Sequence, residues 1–586
     1  MEKNILTWKI GGKAGEGIMS TGLIFSQSCS RGGLHVFDIN EYPSLIKGGH
    51  NTLQVRAGSR RIYSQSRNVE VLVALNKETI YMHMDELSKG GGIIHDSDDG
   101  EINKGEKGRD IRFYPVPFKK LIEEIGAQTI MKNNVALGAS IALIDYDFEL
   151  LSGVIKDTFR RKGENIIADN INAARAGFDY MKNNFPDDFA YKLKKIAAGK
   201  PGRMLLTGND ALCMGAIRAG CKFYSAYPMT PASSILHFMA ANERRFNIVV
   251  KHTEDEISAI NMAIGAGFAG VRAMCATSGG GFCLMSEGYG LAGITEIPIV
   301  VVNAMRPGPS TGMPTWTEQG DFRFVLGASQ GDFPRIVLVP GDAEECFYLA
   351  AEAFNIAEKY QNPVIILTDK HLAESHMTAE KFDTGRVTID RGLYAASEEL
   401  AESDDKTFFK RYRFTESGIS PRTIPGMKKG IYTATSDEHD EEGVITEDIE
   451  NRVKMMQKRM RKQENLAQEL PPPELVGPQD ADITIIAAGS TKGAIIEAMQ
   501  MLETEGISVN FLQIVYLSPF HSEKVAEIID NAKKTVVVEN NFTGQLADII
   551  KEKTGKSVDE KILKYDGRPF YPEEVYNSIK EVVARG

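Results

Sequence analysis

The sequence predicts a multidomain α/β protein whose centre is a doubly wound parallel sheet, and three observations carry that prediction. From Arg203 onward, strand-like apolar runs alternate with amphipathic helical ones, the order in which helices cover both faces of a parallel sheet. Between Tyr224 and Thr311, three such runs end in short polar or glycine-rich loops: Tyr227-Pro228-Met229-Thr230-Pro231, Ala276-Thr277-Ser278-Gly279-Gly280-Gly281 and Ala304-Met305-Arg306-Pro307-Gly308-Pro309. At 586 residues the chain exceeds a single core, and length alone points to about three or four domains. Ligands of open parallel sheets sit outside the carboxyl ends of the strands, so the three loops are expected to meet in one crevice.

Hydrophobic residues make up 42% of the chain and charged residues 25%, the balance of a water-soluble globular protein. No apolar run approaches bilayer-spanning length, and the run after Met1-Glu2-Lys3-Asn4 is too short for a signal-peptide core. A cytoplasmic location without a membrane partner is therefore expected. The net charge of −11, with no one-sided basic excess, argues against a nucleic-acid partner. Six cysteines, Cys29, Cys213, Cys221, Cys275, Cys283 and Cys346, form no C-x-x-C pair and read as small buried hydrophobes. The chain is thus expected to hold no metal, and any iron–sulfur cluster belongs to another chain.

The first domain is expected over residues 1–190. A strand-like run at 5–10 leads through Gly11-Gly12-Lys13-Ala14-Gly15-Glu16-Gly17 into an amphipathic stretch at 18–30. A glycine turn that opens a helix is a candidate anion cradle, because N–H groups at a helix start attract negative charge. Asp38, in the next strand-like run at 34–39, imitates the ribose-binding acid of a dinucleotide fold. The fingerprint fails at its middle position, where Ala14 stands if Gly12 and Gly17 are the outer glycines, so NAD is disfavoured. Two readings stay open for the turn: close packing of helix on strand, or binding of some other anionic ligand. A second loop, Glu41-Tyr42-Pro43-Ser44-Leu45-Ile46-Lys47-Gly48-Gly49-His50-Asn51, either binds a phosphorylated partner or simply turns the chain. Strand-like runs at 52–56 and 69–75 follow, then helices and short strands to about Tyr180.

Gly199-Lys200-Pro201-Gly202 reads as a boundary. The second domain, 203–375, has strand-like runs at 204–207, 222–226, 248–250, 272–276, 298–303, 335–339 and 364–368. Residues 376–475 are polar, lack sustained strand periodicity and read as an extended connection. Their helix, at 448–470, is expected to turn Val453, Met456 and Met460 inward and to stop at Pro471-Pro472-Pro473. The last domain, 476–586, is again α/β, with strands at 483–488, 509–515 and 534–539 and a helix capped by Ser490.

The polar groups of the central crevice each have a local explanation. Thr253-x-x-Glu256 reads as a capping box in which the glutamate reaches back to the Thr253 N–H. Thr230 reads as an N-cap with Pro231 at the first helical position, the glycines at 279–281 as a turn, and Arg306 as a solvated cation. Taken singly each is favoured, but none explains why the polar groups fall at the same end of successive strands.

Tyr227-Pro228-Met229-Thr230-Pro231 resembles the Tyr-Pro-x-Thr-Pro motif of the α subunits of 2-oxoacid:ferredoxin oxidoreductases. The resemblance continues through His252-Thr253-Glu254-Asp255-Glu256, the 276–281 loop and Pro309-Ser310-Thr311-Gly312-Met313-Pro314-Thr315. The opening domain, with its Gly-x-x-Gly-x-Gly and Lys47-Gly48-Gly49-His50-Asn51, resembles the γ unit often fused ahead of α in this family. Glu539-Asn540-Asn541-Phe542-Thr543-Gly544-Gln545-Leu546 resembles its transketolase-C-like domain. The implied fold is a γ-type α/β domain, a pyrimidine-side thiamine diphosphate-binding domain and a transketolase-C-like domain.

The resemblance also implies thiamine diphosphate shared with a β subunit that carries Mg2+ and a [4Fe-4S] cluster, coenzyme A as co-substrate, ferredoxin as acceptor, and an (αβ)2 assembly. Carried over by motif, Glu256 would bind N1′ of the aminopyrimidine, Thr230 would touch the cofactor or the bound acid, and Arg306 would meet the substrate carboxylate, a task suited to a guanidinium fork. Tyr227, Pro228, Pro231, Thr277, Ser278 and Gly279 would line the same cofactor, while Gly15, Gly17, Lys47 and Asn51 would hold coenzyme A. The implied reaction is oxidative decarboxylation of a 2-oxoacid to acyl-CoA and CO2, with 2-oxoglutarate ahead of pyruvate, branched-chain acids or aryl-pyruvate. Gly331-Asp332-Phe333 and Gly341-Asp342-Ala343 do not supply the Gly-Asp-Gly stretch that holds metal and diphosphate, so activity is expected only with β. A non-catalytic assembly subunit and a nucleotide-dependent dehydrogenase are the competing readings.

Overall fold

The structure, a computed structural model, describes residues 4–45, 48–100, 102, 110–186, 189–196, 203–402 and 408–585. It separates into two compact units, one of residues 1–206, 375–381 and 571–574, the other of 207–374, 382–570 and 575–586. No helix among the described residues is long and apolar enough to cross a membrane.

The first unit is built on an eight-stranded sheet in the order Arg112–Val116, Leu87–Asp96, Val69–Ala74, Ile5–Lys13, His50–Gly58, His35–Glu41, His376–Ala379, Met204–Thr207. Strand Ile5–Lys13 runs parallel to Val69–Ala74 but antiparallel to His50–Gly58, which itself pairs antiparallel with His35–Glu41. That order removes the dinucleotide reading by topology: the strand carrying Asp38 is separated from the glycine-turn strand by an intervening strand. Asp38 is buried and already engaged, accepting from Ser26 Oγ at 3.0 Å and from the His376 N–H at 2.9 Å. Trp8 stacks on Phe25 at 4.4 Å in a core that helices Ile18–Arg31 and Lys132–Leu143 help to cover. Helices Lys132–Leu143 and Glu164–Asn184 meet backbone to backbone. A Cβ on Gly138 would lie 1.8 Å from the Ala174 carbonyl, and one on Gly177 would lie 1.9 Å from that of Val135.

In the second unit a seven-stranded sheet has the order Tyr516–Ser518, Ile336–Leu338, Val364–Asp369, Val300–Met305, Ala273–Thr277, Phe223–Ala226, Val249–His252. All neighbours are parallel except Tyr516–Ser518. The central strands are buried end to end, as sheets covered on both faces require. Met204–Thr207, expected in this sheet, lies instead at the edge of the eight-stranded one. A five-stranded sheet follows, ordered Leu475–Val476, Val509–Gln513, Ile483–Ala487, Thr535–Glu539, Glu560–Leu563. Ser490 precedes helix Thr491–Glu503 but makes no side-chain cap bond. Glu539 closes its strand by accepting the N–H groups of Leu546 and Ala547 at 2.7 and 2.9 Å, which fixes the start of helix Gln545–Thr554.

Helix Ile449–Glu469 departs from its expected orientation. Val453 is half exposed, and the buried face carries Met455, Lys458, Arg459, Lys462 and Leu466. The cations are buried because carboxylates await them. Lys458 and Lys462 both pair with Glu296, and Arg459 pairs with Glu438.

Candidate functional site

Four adjacent strands of the seven-stranded sheet, Val300–Met305, Ala273–Thr277, Phe223–Ala226 and Val249–His252, deliver the crevice loops at their carboxyl ends. The Thr253 N–H still donates to the Ala226 carbonyl at 3.0 Å, so the chain leaves Val249–His252 along the sheet before turning into a helix. That helix, Glu256–Phe268, is capped by Asp255, whose carboxylate accepts the Ser258 N–H at 2.7 Å. Thr253 spends its hydroxyl on the Asp255 carbonyl at 2.8 Å. The expected capping box is therefore replaced by a single side-chain cap two residues later, and Glu256 falls at the first helical position.

Glu256 is 3% exposed, and its Oε1 has no hydrogen-bond partner among the described residues. A Cβ on Gly281 would sit 2.6 Å from that oxygen and 2.0 Å from Thr277 Oγ1, so only glycine leaves the carboxyl its place. Burial pushes the Glu256 carboxyl up, with Asp255 adding to the rise and Arg306 opposing it. Such a group holds a proton more readily than an exposed glutamate.

Arg306 donates through Nη1 to the Thr230 carbonyl at 2.7 Å, while its buried Nε has no partner among the described residues. Burial lowers its pKa, and Asp321 and Glu256 restore part of the loss. Thr230 does not cap a helix; helix Ser233–Phe246 starts three residues later without a side-chain cap. Asn209 holds the turn instead, donating to the Pro231 carbonyl at 3.0 Å and to Ser234 Oγ at 2.8 Å. Tyr227 and Pro228 stand exposed at the rim of the same loop, and Pro231 is buried beneath it.

Ser278 precedes helix Gly279–Ile294, and its buried Oγ is also unpartnered among the described residues. Asp321 lies against Gly279, where a Cβ would be 2.5 Å from its Oδ2, and that oxygen accepts Asn303 Nδ2 at 3.1 Å. Asn303 Oδ1 is a further buried atom without a partner among the described residues. The structure thus brings Tyr227, Pro228, Thr230, Pro231, Glu256, Thr277, Ser278, Gly279 and Arg306 to one end of one sheet. It adds Asn209, Asn303 and Asp321, which sequence reasoning missed. For Asn303 a signal existed, a single amide inside the apolar run Val300-Val301-Val302-Asn303-Ala304-Met305.

In the first unit, Gly15 and Gly17 take left-handed backbone conformations at the start of helix Ile18–Arg31, and Asn51 pairs in register with Gly12 at the same end of the sheet. Glu16 occupies part of this turn, accepting the Lys13 N–H and pairing with Lys132, each at 2.8 Å. Lys47 lies outside the described residues. No group of three or more His, Cys, Asp or Glu among the described residues could hold a metal ion.

A parallel sheet that presents an unpaired carboxyl, a hydroxyl and a guanidinium around a glycine-opened helix has the form of an α/β domain with a ligand crevice at the carboxyl ends of its strands. Comparison with known proteins makes this specific. Residues 214–458 match the family described as pyruvate flavodoxin/ferredoxin oxidoreductase, thiamine diphosphate-binding; residues 7–180 match pyruvate ferredoxin/flavodoxin oxidoreductase; residues 481–575 match pyruvate:ferredoxin oxidoreductase core domain II. The α subunit of 2-oxoacid:ferredoxin oxidoreductase from Saccharolobus solfataricus is 34% identical over 99% of this chain and 98% of its own. A 2-oxoglutarate synthase subunit from Methanothermobacter marburgensis is 32% identical over 64% of this chain and 97% of its own. The solved 2-oxoglutarate:ferredoxin oxidoreductase from Magnetococcus marinus, with 2-oxoglutarate, coenzyme A and succinyl-CoA bound, superposes with a TM-score of 0.91 at 34% identity, covering 99% of this chain and 100% of that one. The chain belongs to the 2-oxoacid:ferredoxin oxidoreductase family, among its α subunits.

Proposed function

We propose that the chain is the fused γα subunit of a coenzyme A-acylating 2-oxoacid:ferredoxin oxidoreductase that prefers 2-oxoglutarate and works only with a β subunit. The observation that carries this reading is the orphaned Glu256 carboxyl, held against Gly281 and within the field of Arg306. The orphaned atoms and the glycine cradle fit the pyrimidine half of thiamine diphosphate, held by Glu256, Thr277, Ser278 and Gly279 with the 227–231 turn. When bound, that cofactor supplies the electron sink for loss of a 2-oxoacid's carboxylate.

With the cofactor bound, Glu256 would be the group that holds or gives up a proton at its buried carboxyl, the work of a preorganised acid–base group. Arg306 receives the substrate carboxylate on its unpaired edge, and its bond to the Thr230 carbonyl fixes the fork in direction. Mg2+, the diphosphate contacts and the [4Fe-4S] cluster belong to β, ferredoxin takes the electrons, and the assembly is (αβ)2. Coenzyme A is assigned to the first unit at Gly15, Gly17, Lys47 and Asn51. The fused γ region is supported by the separate family match over residues 7–180 and by the Methanothermobacter relative, which aligns with only 64% of this chain.

The test is 2-oxoacid- and coenzyme A-dependent viologen reduction across a panel of acids. The purified chain should be silent, and the pair with β should turn over 2-oxoglutarate fastest. Activity of the chain alone would overturn the division of labour, and a faster rate with pyruvate, a branched-chain acid or aryl-pyruvate would overturn the substrate.

A further inference from the structure

In the first unit, four side chains form an unbroken hydrogen-bonded line whose far end is open. Lys9 Nζ pairs with Glu86 Oε2 at 2.6 Å, Glu86 Oε1 meets His83 Nδ1 at 2.7 Å, and His83 Nε2 meets His50 Nε2 at 2.9 Å, with the two rings stacked at 5.0 Å. Lys9 is 4% and His83 7% exposed, while Glu86 and His50 are partly buried, so the line runs from the interior toward the surface. Its last atom, His50 Nδ1, is buried and has no partner among the described residues. The ring rests on Gly11, where a Cβ would approach its Cε1 to 3.1 Å. His50 opens strand His50–Gly58, one residue from Asn51 and directly opposite Lys13 at the glycine turn.

The order of the groups dictates where the protons sit. Glu86 lies between a lysine and an imidazole; burial alone would raise its pKa, but His83 and Lys9 hold it below the usual carboxylate range, so it accepts. His83 must then carry its proton on Nδ1. With both rings neutral, its Nε2 is bare, so the proton between the facing nitrogens belongs to His50 Nε2. His50 Nδ1 is thereby left as a bare lone pair.

We propose that His50 is a ligand-recognition residue of the first unit, its Nδ1 accepting a hydrogen bond from an amide N–H, hydroxyl or thiol of a bound ligand, with Lys9, Glu86 and His83 as positioning residues that fix its tautomer. This rests on the reading that the first unit binds coenzyme A, whose pantetheine arm carries donors of all three kinds. Protonation of the pair puts a hydrogen on Nδ1 and turns the acceptor into a donor, so binding weakens as pH falls. Burial first, then His83, hold His50 below its ordinary value of 6.5, Lys9 adds to the lowering, and Glu78 and Glu41 oppose it.

Titration calorimetry of coenzyme A against the full chain between pH 5.5 and 8, in buffers of different ionisation heat, should show binding that weakens toward the acid end, by less than about tenfold at pH 5.5 because His50 is held below its ordinary value, with protons released on binding. His50→Asn, whose Oδ1 replaces the Nδ1 acceptor without titrating, should bind within a few-fold of wild type at pH 8 and lose the pH dependence. His50→Leu should bind about tenfold more weakly at pH 8. Selective 15N-histidine spectra of the ligand-free chain should report the Nε2–H tautomer at His50. A flat pH profile in wild type, an unchanged one in His50→Asn, or an Nδ1–H tautomer would overturn the inference while leaving coenzyme A binding intact. No binding at any pH would overturn the coenzyme A reading together with it.

Discussion

At the carboxyl ends of the central strands, Glu256, Ser278, Asn303 and Arg306 each keep a buried polar atom without a partner among the described residues, whereas at the amino ends the buried carboxylates are each met by more than one cation, with Arg422 Nε left as a buried donor without a partner there. There Glu296, ahead of strand Val300–Met305, takes Lys458 and Lys462. Glu358 takes Arg272 at 2.7 Å, Arg391 at 2.7 Å and Arg422 at 2.6 Å. Arg411 adds bonds to Gln361 Oε1 and the Glu296 carbonyl, both at 2.9 Å. Most of those cations come from residues 382–470, so the polar segment read as an extended connection seals one end of the sheet. A buried charge is tolerated only when paired. The unpaired end is thus shaped for a ligand, and the paired end for the fold.

Substitutions at the two ends should differ in sign as well as size. Glu256→Gln should cut turnover of the chain with β by about 10²–10⁴-fold. Its Tm at neutral pH should rise, because a carboxyl whose folded pKa is raised above its unfolded value lowers stability once both states are ionised. A lower Tm with normal turnover would return Glu256 to a purely structural role. Glu296→Ala strands Lys458 and Lys462 and should cost about 3–5 kcal/mol in denaturant unfolding. A change below 1 kcal/mol would erase the contrast between the ends.

Gly281→Ala overpacks the site against Thr277 and Glu256 and should cost about 1–3 kcal/mol, read as weaker thiamine diphosphate binding with the fold retained. Acid titration sharpens the comparison further. Burial alone would raise Glu296, but Lys458 and Lys462 hold it far below the ordinary glutamate value of 4.5. Its contribution is present above that value and lost as pH falls below it, so Glu296→Gln should flatten the acid limb of the stability curve. The smallest effect belongs to Val453→Ala, half exposed in the structure, which should stay within about 0.5 kcal/mol. A larger loss would restore the apolar face expected for its helix.

What was legible in the sequence was the alternation and the loops at strand ends, because apolar runs and glycine turns are local signals. The helix start at Asp255 rather than Thr253 was not, since both residues cap well and the choice was settled by Thr253 remaining in register with Ala226. Lys458, Arg459 and Lys462 were hidden for a different reason. Cations at helical spacing look like a solvated face until the distant carboxylates of Glu296 and Glu438 are placed beside them. Asn209 and Asp321 act through partners 22 and 18 residues away, beyond the reach of any motif.

Strand His376–Ala379 sits beside His35–Glu41 in the eight-stranded sheet, with Phe37 opposite Met377 and the His376 backbone on Asp38. The polypeptide therefore returns, late in its course, to complete a sheet begun some 340 residues earlier. A protease nick between residues 187 and 203 would sever the covalent link without freeing the amino-terminal fragment, which would stay stitched to the remainder by that returning strand. By the same token, a gene split at that point would yield a first product with an open hydrogen-bonding edge, in need of its other half from the moment of synthesis.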